Sequence, residues 1–267
     1  MLINHVRAGA GRPPIVFIHG FGCDRTDWDA QVAHFSSMHQ TIAVDLRGHG
    51  ASPGAAADCS IELYANDVAV VMRALDLPPA VIVGHSMGFR VAIEAALHAP
   101  AQTRGVILID GGQQPTAMAA ILREAFTATG GYASLVTGMF KDMFTDRSDK
   151  VRATAIVDRA LRLPRPIGEK MLNDMVRYDT GRLARSLASL RVPVMALQTT
   201  SRDERGARAS LRQGETTPYL ELLRATIPSV RVEIVEDTGH FPQLDESART
   251  NGLLERFIAE LLPAQDH

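Results

Sequence analysis

A serine between two glycines supplies the strongest chemical signal in this 267-residue sequence. Residues 84–88 are Gly-His-Ser-Met-Gly; they follow the apolar run Ala-Val-Ile-Val and precede a helical pattern at residues 91–97. Between a strand and a helix, this spacing is typical of a nucleophile elbow, whose strained backbone projects the serine hydroxyl above the sheet. We therefore predict that Ser86 is a nucleophile, the alternative being an ordinary serine in a turn.

A glycine-rich turn, His-Gly-Phe-Gly at residues 19–22, follows the first clear strand pattern. Glycines let the backbone turn back and direct an N–H towards the site. The N–H of Phe21, together with that of Met87, would bind the negative oxygen that forms when an acyl carbon is attacked. Each such donor lowers the barrier by roughly 3–4 kcal/mol. The turn therefore predicts an oxyanion hole, unless it is a loop without a ligand.

Nine histidines are candidates for the general base, and His240 has the position that fits. It follows a strand pattern at residues 230–235 and a short loop that ends in Gly239. Loops at the carboxyl ends of parallel strands lie at one edge of the sheet, which is where Ser86 is expected. We predict that His240 takes the proton of the serine hydroxyl.

Two carboxylates compete to orient His240. Asp110 ends the strand pattern that follows the nucleophile strand, and the ends of neighbouring strands lie about 5 Å apart. Asp203 follows the next strand pattern, residues 192–197, about 10 Å away if strands run in sequence order. Asp203 also lies in a long polar segment, residues 199–218, of a length typical of functional or mobile loops. We favour Asp110 and keep Asp203 as the alternative.

Apolar runs that alternate with helical patterns must position these residues. The strand patterns lie at residues 15–18, 41–45, 80–83, 106–109, 192–197 and 230–235. Continuous apolar runs of this length are typical of parallel strands that are covered on both faces. Among the helical patterns is one at residues 61–75, for which Ser60 is a suitable N-cap. The alternation predicts an α/β fold with a doubly wound, mostly parallel sheet.

One segment, residues 113–181, has no strand pattern and is rich in Met, Phe and Leu. Glycines at residues 130–131 and the stretch Leu-Pro-Arg-Pro at residues 163–166 divide it into helical pieces. We predict a helical cap over the carboxyl edge of the sheet, inserted between core segments 1–112 and 182–267. Most of its apolar side chains should form its own core, and a minority should line a substrate pocket.

The composition excludes several classes of function. With 28 Lys and Arg against 30 Asp and Glu, the net charge of −2 gives no electrostatic case for binding nucleic acid or an anionic membrane. Cys23 and Cys59 have no metal-ligand spacing, so neither a disulfide framework nor a metal site is expected. Neither a membrane span nor a secretory signal is visible. We expect a cytoplasmic protein that binds a small molecule.

Four motifs together resemble the α/β-hydrolase superfamily. They are His-Gly-Phe-Gly at 19–22, Asp-Leu-Arg-Gly-His-Gly-Ala-Ser at 45–52, Gly-His-Ser-Met-Gly at 84–88 and Thr-Gly-His-Phe-Pro-Gln-Leu-Asp-Glu at 238–246. The motifs span nearly the whole chain in the family's order. The resemblance implies an eight-stranded, mostly parallel sheet with a helical cap after the sixth strand. It also implies Ser86 as nucleophile, His240 as base, and the N–H groups of Phe21 and Met87 as the oxyanion hole.

The sequence departs from the family in two places, at its first strands and at the acid. Only one strand-like piece, residues 2–7, precedes the first apolar run, so the usual first hairpin is expected to be truncated. Many members keep the acid after the seventh strand, but here Thr199 replaces a glycine of that pattern and Asp203 stands one residue late. Some subfamilies, including dehalogenases and cofactor-free dioxygenases, resemble the Asp110 arrangement. Dehalogenases have aspartate at the nucleophile position, so Ser86 argues against dehalogenation.

These residues predict a serine hydrolase that cleaves a carboxylic ester, thioester or lactone through an acyl-enzyme, without a metal or organic cofactor. Two other functions stay open. One is a small-molecule receptor with little turnover, because a fold does not fix a function; the piece Gly-Phe-Gly-Cys-Asp ending at Asp24 resembles hydrolase-fold signalling proteins. The other is C–C bond hydrolysis or cofactor-free dioxygenation with His240 as general base.

Overall fold

The computed structural model describes residues 1–202 and 207–262 of the chain. Its strands are β1 (His5–Ala8), β2 (Ile15–Ile18), β3 (Thr41–Val44), β4 (Ala80–His85), β5 (Thr103–Ile109), β6 (Val194–Gln198), β7 (Thr200–Arg202), β8 (Arg208–Ser210) and β9 (Arg231–Ile234). Its α-helices are α1 (Asp29–Phe35), α2 (Ile61–Ala74), α3 (Met87–His98), α4 (Met118–Thr127), α5 (Gly131–Lys141), α6 (Lys150–Arg162), α7 (Arg165–Gly181), α8 (Leu183–Ser189), α9 (Pro218–Thr226), α10 (Pro242–Asp245) and α11 (Ser247–Glu260). Short 3-10 helices occupy Arg25–Trp28, Ala56–Asp58 and Pro100–Gln102.

Seven of the strands in the described part of the chain form one sheet, in the order β1-β3-β2-β4-β5-β6-β9. The neighbouring strands are parallel except for β1, which is antiparallel to β3. The strands β4 and β5 are neighbours, and His85 at the end of β4 pairs with Ile109 at the end of β5. The predicted mostly parallel sheet is therefore confirmed, and the residues that follow β4 and β5 meet at one edge.

Apolar side chains cover both faces of the sheet. Along β2, Val16 and Ile18 belong to the core on one face, whereas Ile15 and Phe17 belong to the core on the other. All four are fully buried, and burying side chains of this size contributes about 1.5–3 kcal/mol each. The predicted N-cap also forms, because the Ser60 hydroxyl accepts the N–H of Leu63 at the start of α2. The continuous apolar strand patterns thus correspond to strands buried on both sides.

The strand count differs from the eight that the family resemblance implies. A single strand, β1, precedes β2 instead of a hairpin, so the main sheet has seven strands within the described residues. The helices expected after the sixth strand consequently follow the fifth strand, β5. These helices, α4 to α7, lie within residues 113–181; the division of the chain into a core and a separate cap stays a prediction.

Residues 199–218, expected to be one long polar loop, contain more regular structure than their sequence indicates. The strands β7 and β8 pair antiparallel, with Thr200 opposite Ser210 and Arg202 opposite Arg208. This small hairpin directly follows β6, so it lies beside the carboxyl edge of the main sheet.

No helix in residues 1–202 or 207–262 is long and apolar enough to span a membrane.

Candidate active site

Ser86 lies in the sharp turn between β4 and α3. Its backbone has φ 52° and ψ −121°, a conformation that costs a non-glycine residue about 1–3 kcal/mol. The turn closes tightly, because a Cβ placed on Gly84 would lie 2.2 Å from the carbonyl oxygen of Gly88. The Ser86 N–H donates to the Ile109 carbonyl on β5, at 3.0 Å. The two glycines and this bond therefore fix the strained turn that the sequence pattern predicts.

His240 lies with its imidazole against the Ser86 hydroxyl. The distance from His240 Nε2 to Ser86 Oγ is 2.7 Å, and the His240 side chain is 4% exposed. The His240 N–H donates to the Met143 carbonyl, just after α5, at 2.8 Å. The His240 carbonyl accepts a hydrogen bond from Nε2 of the buried His85, at 2.6 Å. The histidine loop is thus fixed both from β4 and from the helices that follow β5.

Asp110, directly after β5, completes a hydrogen-bonded chain with these two residues. Its Oδ2 lies 2.5 Å from His240 Nδ1. Its Oδ1 accepts the backbone N–H groups of Thr199 (2.8 Å) and Thr200 (2.9 Å), and the Thr200 hydroxyl donates to Oδ2 at 2.6 Å. Burial alone would raise the pKa of Asp110, but the hydrogen bond and charge of His240, the charge of Arg208 and the Thr200 hydroxyl lower it to about 2. The side chain is therefore a carboxylate across the physiological range.

The structure describes one of the two candidate acids, Asp110, and not the other. Asp110 contacts the ring nitrogen of His240 that faces away from Ser86. Asp203 lies outside the described residues. The structure therefore brings Ser86, His240 and Asp110 together, and it gives no position for Asp203.

The glycine-rich turn after β2 lies directly against Ser86. A Cβ placed on Gly20 would come within 3.1 Å of the Ser86 Cβ, so a larger residue there would crowd the serine. Within residues 1–202 and 207–262, the N–H groups of Phe21 and Met87 have no hydrogen-bond acceptor from the protein. Phe21 follows Gly20, and Met87 is the first residue of α3, where backbone N–H groups attract negative charge.

His19 fixes this turn through both of its ring nitrogens. Its Nδ1 donates to the Gly20 carbonyl at 2.7 Å, and its Nε2 accepts the N–H of Leu46 at 3.0 Å. Both ring nitrogens are therefore used within the protein, and His19 is fully buried.

Among the described residues, no group of three or more His, Cys, Asp or Glu side chains is arranged to bind a metal ion.

Sequence reasoning missed three residues around Asp110: Thr199, Thr200 and Arg208. The first two supply backbone N–H donors, which leave no mark in a sequence. The signal that could have located them is the register between β5 and β6, where Ile109 pairs with Leu197. Residues just after β6 must then lie beside Asp110.

Four buried histidines around this edge have lowered pKa values. Burial disfavours the imidazolium form, so the pKa of His19 falls to about 3 and those of His49 and His240 to about 4. Burial likewise lowers the pKa of His85. In the unfolded chain each histidine titrates at about pH 6.5. Between the pKa of a histidine in the folded protein and its pKa in the unfolded chain, the unfolded chain therefore binds more protons than the folded protein.

We expect the protein to lose stability as the pH falls from 7.5 to 5. Each buried neutral histidine contributes fully to the free energy of unfolding above about pH 6.5, and this contribution is lost as the pH falls towards the pKa in the folded protein. By pH 5, His19, His49 and His240 should therefore each lower the free energy of unfolding by about 2 kcal/mol. Urea unfolding at a series of pH values measures this change. A His49→Gln variant should weaken the pH dependence by about one proton. A free energy of unfolding that is equal at both pH values would contradict the prediction.

The chain belongs to the alpha/beta hydrolase family, whose model matches residues 15–253. This membership supports a hydrolase activity. An uncharacterized protein from Mycobacterium tuberculosis is 28% identical over 268 residues, which cover 97% of this chain and 78% of that protein. Solved structures with the same fold include an esterase and an enol-lactonase. A thermophilic esterase from Thermogutta terrifontis has a TM-score of 0.80 at 23% identity, covering 97% of this chain and 93% of that one. The enol-lactonase from Burkholderia xenovorans LB400 has a TM-score of 0.79 at 21% identity, covering 96% of both chains.

Proposed function

We propose that this protein is a serine hydrolase that cleaves a carboxylic ester, thioester or lactone. In this proposal Ser86 is the nucleophile, His240 the general base and Asp110 the acid that orients His240. The observation that carries it is the hydrogen-bonded chain from Ser86 Oγ to His240 Nε2 (2.7 Å) and from His240 Nδ1 to Asp110 Oδ2 (2.5 Å). A strained serine at the end of a parallel strand, with a base in contact, is suited to nucleophilic catalysis.

The reaction follows from the donors and acceptors in the site. His240 Nε2 removes the proton of Ser86 as Oγ attacks the acyl carbon, and the N–H groups of Phe21 and Met87 bind the resulting oxyanion. The imidazolium then gives its proton to the leaving group, and an acyl-enzyme forms on Ser86. His240 next removes a proton from water, which attacks the acyl carbon and releases the acid. No step requires a metal or an organic cofactor.

Asp110 supports this reaction through its charge and its hydrogen bonds. An ionised carboxylate only accepts hydrogen bonds, so His240 Nδ1 must carry the proton and Nε2 is left free to accept one. The same carboxylate stabilises the imidazolium that forms during the reaction. The low pKa of Asp110, about 2, keeps it ionised over the whole working range.

The substrate class rests on the chemistry of the site. Esters, thioesters and lactones share an acyl carbon that a serine can attack, and the substrate would be a small molecule bound between the sheet edge and the helices after β5. An esterase and an enol-lactonase share the fold, so both open-chain and cyclic esters belong in a first substrate panel.

Two measurements test the proposal. A fluorophosphonate probe should label Ser86 with loss of fluoride, and the same preparation should hydrolyse a p-nitrophenyl ester or a simple lactone. Intact-protein mass spectrometry followed by peptide mapping locates the label. If the folded protein is neither labelled nor active on any member of the panel, the proposal fails and a binding function becomes the better explanation.

A further inference from the structure

The guanidinium of Arg208, on β8, lies beside His240 and Asp110. Its Nη1 is 3.1 Å from His240 Nδ1 and 3.4 Å from Asp110 Oδ2. The same nitrogen donates to the Thr200 hydroxyl, which in turn donates to Asp110. The Arg208 side chain is only 13% exposed, so this positive charge is largely shielded from solvent. A cation thus lies on the far side of the imidazole from Ser86.

The effect of this contact depends on which ring nitrogens of His240 carry a proton. The Asp110 carboxylate accepts, so the single proton of neutral His240 lies on Nδ1 and points to Asp110. Arg208 can only donate, and therefore it has no hydrogen bond to make with Nδ1. When His240 takes up a second proton, two positive groups 3.1 Å apart share one carboxylate. Arg208 therefore opposes formation of the imidazolium.

The hairpin of β7 and β8 fixes Arg208 in this position. The Arg208 N–H donates to Asp142 Oδ1 at 3.3 Å, and Arg202 on the paired strand contacts Asp142 Oδ2 at 3.0 Å. The Ser210 hydroxyl donates to the Thr238 carbonyl at 2.8 Å, in the loop that leads to His240. The hairpin is thus anchored to the end of α5 on one side and to the histidine loop on the other.

Among the described residues, Arg208 is the cation closest to His240, although other charged and titratable groups also face the imidazole. Asp110 contacts the ring and favours the imidazolium; Arg202 also opposes it, but its guanidinium pairs with Asp142. His85, whose ring centre lies 4.7 Å from that of His240, is itself kept neutral by burial. Burial and then the charge of Arg208 lower the pKa of His240 to about 4, against the opposing effect of Asp110.

We propose that Arg208 is a positioning residue whose charge, acting through His240, keeps that imidazole neutral and able to accept a proton in mildly acidic solution. The lower edge of the working pH range is then set in part by a side chain that need not touch the substrate. The consequence for catalysis rests on the proposed serine hydrolase function, whereas the effect on the titration of His240 does not.

The test compares Arg208→Gln, Arg208→Lys and wild type by two readouts. The first is the titration of the His240 ring followed by NMR; the second is the rate of fluorophosphonate labelling between pH 4 and 8. Arg208→Gln should raise the pKa of His240 and the acidic limb of labelling together, by about one pH unit. Its labelling rate above pH 7 should stay within about threefold of wild type, because neutral His240 is then already the main form. Arg208→Lys should stay closer to wild type, because it keeps the charge.

Arg202→Gln is the matched control. It loosens the same hairpin by removing a contact to Asp142, but it leaves Arg208 beside His240, so the acidic limb should move much less. The proposal is overturned if Arg208→Gln leaves the His240 titration unchanged, or if Arg208→Lys behaves like Arg208→Gln. It is also overturned if His240 in the wild type titrates at or above about pH 6.5, a measurement that needs no variant to fold. A shifted titration in a protein that is never labelled would instead reject the hydrolase function and retain the role of Arg208.

Discussion

Replacing Ser86 with alanine is expected to lower kcat for a p-nitrophenyl ester by about 10⁶-fold. Alanine removes Oγ, the atom that lies 2.7 Å from His240 Nε2 and that would attack the acyl carbon. The oxyanion donors and the rest of the site stay, so a small residual rate over water should persist. Steady-state rates with ester in excess over enzyme give the size of the loss, and fluorophosphonate labelling should disappear in parallel.

Ser189→Ala serves as the matched control for this loss. Ser189 is exposed and its hydroxyl donates to the Arg185 carbonyl within α8, at 2.9 Å, so its removal should leave kcat unchanged. Thermal unfolding of both variants shows whether the fold is retained. If folded Ser86→Ala kept more than about a tenth of the activity, Ser86 would not be the nucleophile.

The core strands could be predicted because burial on both faces leaves a simple mark in a sequence. The four residues of β2 are all apolar and all buried, and those of β4 follow the same rule up to the elbow. Once β4 and β5 are neighbours, the positions of Ser86 and Asp110 at one edge follow from the geometry of parallel strands. The favoured contact between Asp110 and His240 therefore needed only local patterns and strand adjacency.

The β7–β8 hairpin could not be predicted by the same reasoning. Its strands have three residues each, and Ala209 is the one apolar residue among the six, so the strands are too short and too polar to give a periodic pattern. Its pairing depends on tertiary contacts, such as those of Asp142 with both Arg202 and Arg208. A single arginine among 28 Lys and Arg residues cannot be assigned to the site until this hairpin is placed. Contacts of this kind become visible only in three dimensions.

Replacing Asp110 with asparagine is expected to lower kcat by about 10⁴-fold while the fold is kept. The backbone N–H groups of Thr199 and Thr200 both donate to Oδ1, so the amide oxygen of asparagine would occupy that position. The NH₂ group would then face His240 Nδ1, which would have to accept a hydrogen bond instead of donating one. The ring proton would move to Nε2 and point at Ser86, and the base would be in the wrong tautomer.

A steady-state comparison with Asp237→Asn tests this argument. Asp237 is an exposed residue of the same histidine loop, and its backbone, at φ 56°, is one that asparagine readily adopts, so that variant should keep wild-type turnover. The NMR signals of the His240 ring should report the tautomer change in Asp110→Asn alone. If Asp110→Asn remained within tenfold of wild type while Asp203→Asn lost activity by orders of magnitude, Asp203 would be the acid, because the residue whose removal leaves His240 in the wrong tautomer is the one that orients it.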